Sequence, residues 1–228
     1  MITYYEIGAN KRLNEITIAG SHDAGVREGS KNVQTQKYDI IRQAMEGVRV
    51  FDTRIAAESH AGPGGGGRQA TLKAFHSSIT RNKTKSRFVT DVGRTMNVNR
   101  SHVVGGAFGE SLTQMLDDAR DFIQMFAPNE FLILKFDKCK NWPVIAESCI
   151  QRLGNTIYNT AANVNTRTLD DLKGKVIVVF GPDGLRELHS LPMTQWPNGR
   201  PWSDAGILGF RNLYSGGAYD PRFHGLQY

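Results

Sequence analysis

The chain has 228 residues, 39% hydrophobic and 22% charged, and 28 lysines and arginines against 22 aspartates and glutamates give a formal net charge of +6. This composition excludes a disordered chain, and its two cysteines cannot staple a chain of this size as a disulfide scaffold. The length suits one α/β domain and falls slightly short of a complete eight-stranded α/β barrel of about 250 residues.

In chain order, Ile16 to Gly20 is a β-branched run closed by glycine and reads as a first strand. Tyr38 to Gly47 has apolar residues at helical spacing and a glycine stop. Val48 to Ile55 reads as a second strand, Gly62 to Gly67 as a flexible loop without the ending of a P-loop, and Leu72 to His76 as a third strand. Lysines and arginines concentrate between Arg81 and Arg100 (RNKTKSRFVTDVGRTMNVNR), a solvated loop or a patch for an anionic membrane or substrate.

Ser111 to Phe126 is the clearest amphipathic helix, with Ser111 as its cap and Pro128 beyond its end. Phe131 to Phe136 is a solid apolar run, as in a central parallel strand. Trp142 to Leu153 reads as a helix, Leu169 to Leu172 as a helical turn and Lys175 to Phe180 as another buried strand, with Ile207 to Phe210 a further candidate. Cys139 and Cys149 read as free thiols. Trp142 is assigned to the core, while Trp196 and Trp202 fit either the core or a lipid interface. Solid apolar strands alternating with helices imply a parallel sheet covered on both faces.

Polar residues gather at the carboxyl ends of these strands, where α/β folds place their chemistry. His22 and Asp23 follow the first, Asp52 and Arg54 end the second, His76 ends the third, and Lys135 and Asp137 end the fourth. Two histidines can serve as general base and general acid, and Arg with Lys can hold a phosphate. No G-x-S-x-G elbow, HExxH or cysteine cluster is present. The residues therefore favour acid–base cleavage of a phosphodiester. A nucleic-acid role lacks the aromatic stacking motifs it would use.

Ile18 to Gly25 (IAGSHDAG) resembles the opening signature of the phosphatidylinositol-specific phospholipase C X-domain, and Gly47 to Arg54 (GVRVFDTR) resembles its second strand. Ser111 to Lys135 and Gly174 to Phe180 resemble its later helix and strands. The resemblance covers roughly residues 13 to 180. It implies a TIM-like, distorted or incomplete (β/α) barrel of parallel strands, spanning residues 1–228 as one catalytic domain, either abbreviated or a piece of a longer protein.

It also implies roles. His22 matches the general base, and His76 the general acid, with His102 as the alternative second histidine. Arg54 matches the arginine that replaces calcium in the metal-independent bacterial branch, and Asp23 would support it. Lys135 matches a substrate-binding lysine, with Asp52 and Asp137 assigned beside it. No metal or other cofactor is expected. The partner implied is a phospholipid at a membrane surface, with no nucleic acid. The carboxylate that orients His22 normally comes from a late strand, for which Asp204 and Asp220 are the candidates. Phe180-Gly181-Pro182 stands where the bacterial enzymes carry a basic segment.

The alternatives are an inactive lipid-binding barrel and a metal-dependent glycerophosphodiesterase or phospholipase D-like enzyme. No segment reaches the roughly 20 apolar residues that span a bilayer, and Met1 to Leu13 lacks the apolar core of a signal peptide. The expectation is a soluble protein, compatible with a bacterial effector or toxin domain exported by a dedicated system.

Overall fold

The computed structural model describes residues 1–29, 33–61, 68–89, 95–160 and 163–210, with their side chains apart from those of 77–85 and 89. Five strands form a parallel sheet in the order β1 (Ala19–Ser21), β2 (Val48–Thr53), β6 (Phe131–Phe136), β7 (Lys175–Phe180), β8 (Ile207–Gly209). Their intervening segments supply α1 (Ile40–Met45), α2 (Leu112–Asp121), α3 (Trp142–Leu153), α4 (Leu169–Leu172) and α5 (Pro182–His189). This is the expected α/β class, a distorted and partial barrel sheet.

The solid apolar runs are explained by burial on both faces. Along β6, Leu132, Leu134 and Phe136 pack toward α2 and α3, with Leu112, Leu116 and Ile145. The alternate residues, Phe131 and Ile133, pack with Leu13, Ile18, Leu169 and Leu172 on the other face. Every residue of β6 is buried.

Local signals set the helix ends. The Ser111 hydroxyl accepts the Gln114 N–H at 3.2 Å, and Asp39 caps α1 through the Arg42 N–H at 2.8 Å. Beyond α2 the chain widens into a π-helical turn over Phe122–Phe126 before Pro128. Trp142 is core as expected, and Trp202 is also buried, so it does not insert at a lipid surface. Trp196 is partly buried against the same core. Cys139 and Cys149 are free and buried, and burial pushes both thiols up. No described helix is long and apolar enough to cross a membrane.

The largest departure lies between β2 and α2. Leu72 to His76 is not a parallel barrel strand. It belongs to β4 (Arg68–Val89), which pairs antiparallel with β3 (Ile55–Ala61) and with β5 (Thr95–Ser111). A parallel pairing of Ala57 with Arg100 closes these three strands on themselves. Of the basic segment Arg81 to Arg100, expected as a solvated loop or an anion-facing patch, the described residues 81–89 and 95–100 are thus paired strands. The glycine run 62–67 lies outside the described residues.

Buried at the opposite end of the sheet from the polar strand ends, Arg49 pairs with Glu130 at 2.8 Å. Its other nitrogens donate to the carbonyls of Ile2, Ala44 and Val48 at 2.6–2.9 Å. Tyr4 and Phe122 cover its guanidinium at 5.3 and 5.0 Å. This arginine of the second-strand motif is structural.

Candidate active site

Three neighbouring parallel strands deliver side chains to one place. His22 follows β1, Asp52 and Arg54 flank the end of β2, and Lys135 is the penultimate residue of β6. β4 brings His76 across this mouth. The Phe75 N–H bonds the Arg54 carbonyl at 3.0 Å, and register shifts lie on both sides of the Phe75–His76 pair. Such bulges re-aim a strand side chain.

The centre is Asp23, whose side chain is fully buried. Its Oδ2 lies 2.5 Å from His76 Nδ1 and 3.4 Å from His22 Nε2, and its Oδ1 lies 3.0 Å from Arg54 Nε. Asp52 forms a second carboxylate–imidazole pair, with Oδ2 3.0 Å from His22 Nδ1. Its Oδ1 is 3.4 Å from Lys135 Nζ, which also lies over the Phe210 ring. His22 and His76 are 40% and 31% exposed at their side chains, so both imidazoles face the mouth while their carboxylates do not.

Asp23 has a left-handed backbone, φ +46°, and is held there from several sides. The Thr35 hydroxyl donates to the Asp23 carbonyl at 2.8 Å, the Gln36 amide to the His22 carbonyl at 2.9 Å and the Gln43 amide to the Ala24 carbonyl at 3.0 Å. Thr35 and Gln36 belong to a stretch with no motif or apolar period to mark them, so nothing in the sequence announces this support. Gly25 leaves room for Met115 and Ala74, which an added Cβ would approach to 2.6–2.7 Å.

Of the two candidates for the second histidine, His76 touches Asp23, whereas His102 is exposed on β5 and lines another cavity with Arg68 and Arg100. The structure places Asp52 at His22 Nδ1. Asp204 is exposed in the turn before β8, and Asp220 lies outside the described residues. Asp137 stands just beyond β6, where its Oδ1 accepts the Lys138 N–H at 2.9 Å.

His22, Asp23 and Asp52 each present an atom within 4.8 Å of the others, a spacing that could hold a metal. Yet Arg54 already pairs with Asp23 and Lys135 with Asp52. Two carboxylates matched by two cations, with an imidazole, are a poor donor set for calcium, which takes six to eight oxygens, or for octahedral magnesium. The residues present do not fit either ion.

Behind the site, Arg27 pairs with Glu110 at 2.9 Å, and the Glu110 N–H bonds the Gly25 carbonyl at 2.8 Å. Burial pushes the Glu110 carboxyl from 4.5 up to about 7, with Arg27 opposing and Asp118 and Asp39 adding to the rise. The folded state therefore holds a proton that the unfolded chain has released. This contribution is complete below about pH 4.5 and is lost as pH rises through about 7. Thermal unfolding should show wild-type stability falling across that window, with Glu110→Gln removing up to about 3 kcal/mol of the pH dependence. An unchanged slope in the variant would contradict this.

A scan against protein-family models finds no match, nor does a search of curated proteins. Solved structures do match, and they show the fold, a distorted α/β barrel. The phosphatidylinositol-specific phospholipase C of Staphylococcus aureus aligns over 77% of this chain and 51% of its own, with 21% identity and a TM-score of 0.52. A calcium-dependent phosphoinositol-specific phospholipase C from Pseudomonas aligns over 89% of this chain and 67% of its own, with 13% identity and a TM-score of 0.50. The chain thus spans about half the length of the staphylococcal protein.

Proposed function

We propose that this chain is a metal-independent phosphodiesterase that cleaves the glycerol-side phosphodiester bond of phosphatidylinositol or a related phospholipid. The observation that carries the reading is Asp23, one buried carboxylate within 3.4 Å of two imidazoles and a guanidinium.

His22 takes the proton from the inositol 2-hydroxyl, whose oxygen then attacks phosphorus. Asp52 at Nδ1 holds this imidazole in the tautomer with Nε2 free to accept. Arg54, fixed by Asp23, neutralises charge that grows on the phosphate oxygens. The bond from phosphorus to the glycerol oxygen breaks, and protonated His76 gives that oxygen its proton from Nε2. The products are a cyclic inositol phosphate and diacylglycerol. Lys135 is placed to hold substrate hydroxyl or phosphate oxygens. No step requires a divalent ion, in keeping with the pairing of both carboxylates by cations.

Mass spectrometry of products from mixed phospholipid vesicles, with and without chelator, tests the proposal. Diacylglycerol and a phosphorylated head group are expected at the same rate in both conditions. Loss of product with chelator would overturn the metal-free mechanism, and vesicle binding without turnover would favour an inactive lipid-binding module.

A further inference from the structure

A second positively charged concavity lies outside the Asp23 cluster. It is a cavity of about 530 Å³ between β5, the loop that follows β6, and α5. Four cations line it, Arg100, Lys138, Lys140 and Arg186, against two carboxylates, Asp183 and Glu187. Arg186 is satisfied by Asp183 at 3.3 Å. Among the described residues, no carboxylate lies within ion-pair distance of Arg100, Lys138 or Lys140.

Arg100 is the most telling of the three. It is partly buried, and its Nε is enclosed without a hydrogen-bond partner. A guanidinium nitrogen removed from water without an acceptor is costly unless an anion completes it. The same arginine borders a neighbouring cavity of about 370 Å³ that also holds Arg68 and His102, and the one carboxylate on its lining, Glu58, is paired with Lys73 at 2.8 Å.

The groove is also held in shape. Lys138 and Asn141 have left-handed backbones, φ +51° and +66°. The Asn141 side chain clamps β5 like a short piece of strand. Its Oδ1 accepts the Asn99 N–H at 2.8 Å, and its Nδ2 donates to the Asn99 carbonyl at 3.0 Å. The Lys140 N–H bonds the Ile55 carbonyl at 2.9 Å. These bonds fix Lys138 and Lys140 beside Arg100, which follows Asn99. Unfavoured backbone held this firmly marks a loop whose conformation is put to use.

We propose that this groove is an anion site for a phosphate group, with Arg100 offering a planar fork and Lys138 and Lys140 two point charges. A phosphate supplies several acceptor oxygens and up to two charges, which a guanidinium and two ammonium groups match better than they match a single carboxylate. Its source is either the head group of an anionic lipid, which would hold the protein on a membrane, or a soluble phosphate. The site stands apart from the proposed reaction and does not depend on it.

The test is a double variant, Lys138→Gln with Lys140→Gln, which leaves the buried groups intact, compared with Lys11→Gln as a charge control. Binding is followed with inorganic phosphate by calorimetry, and with vesicles of phosphatidylcholine with and without phosphatidic acid by co-sedimentation. Saturable binding weakened roughly tenfold in the double variant, and unchanged in the Lys11→Gln control, is the expected result. Weakening with vesicles alone assigns a lipid head group, and with inorganic phosphate alone a soluble ligand. No saturable binding of either probe, equal affinity in the double variant, or equal loss in the control would overturn the proposal.

Discussion

His22→Ala should lower phosphatidylinositol turnover by roughly 10³–10⁴-fold while leaving the fold intact. The imidazole is 40% exposed, so its removal opens no core cavity. What it removes is the proton acceptor for the attacking hydroxyl, while Arg54 and Asp23 remain in contact. The companion variant Asp52→Asn should lose less, roughly 10²-fold, and should alter the pH–rate profile. An amide at His22 Nδ1 can favour the wrong tautomer, and only an orienting role would move the profile as well as the rate. Steady-state kinetics across pH, with circular dichroism on each variant, measures both. Full activity of His22→Ala would remove the proposed base from the mechanism.

The largest effect on stability is expected at Arg49, away from the chemistry. Arg49→Met keeps approximate volume but strands Glu130 as a buried charge and frees three backbone carbonyls. A loss of about 3–5 kcal/mol is expected, lowering the melting temperature by roughly 10 °C. The double variant Arg49→Met with Glu130→Gln should recover part of this, because no unpaired charge is left. Thermal unfolding of the two singles and the double gives the coupling directly. A neutral Arg49→Met would contradict the structural role assigned to this motif arginine.

Legibility in the sequence followed burial. β6 and β7 match the apolar runs at 131–136 and 175–180 because both faces of these strands are covered, and a strand of that kind has no polar residues to interrupt it. The strand-end residues His22, Asp23, Arg54 and Lys135 were also readable, since short motifs carried them. β4 and β5 were not. Arg81, Lys83, Lys85 and Arg87 alternate with Asn82, Thr84, Ser86 and Phe88, so neither set of alternate residues forms an apolar row. Their strand character comes from backbone pairing with each other, which no local pattern encodes.

The contact between Asp52 and His22 was not legible for a different reason. It forms because β1 and β2 are parallel neighbours with Ser21 beside Phe51, while of the late aspartates that the resemblance offered Asp220 lies outside the described residues. Proximity of that kind belongs to the sheet order.

Phosphorus NMR of phosphatidylinositol vesicles incubated with the purified chain tests the central claim most directly. The account predicts a cyclic inositol phosphate signal that grows in the presence of chelator and is absent with His22→Ala. Formation of phosphatidic acid in its place, or a cyclic product formed equally well by His22→Ala, would contradict it.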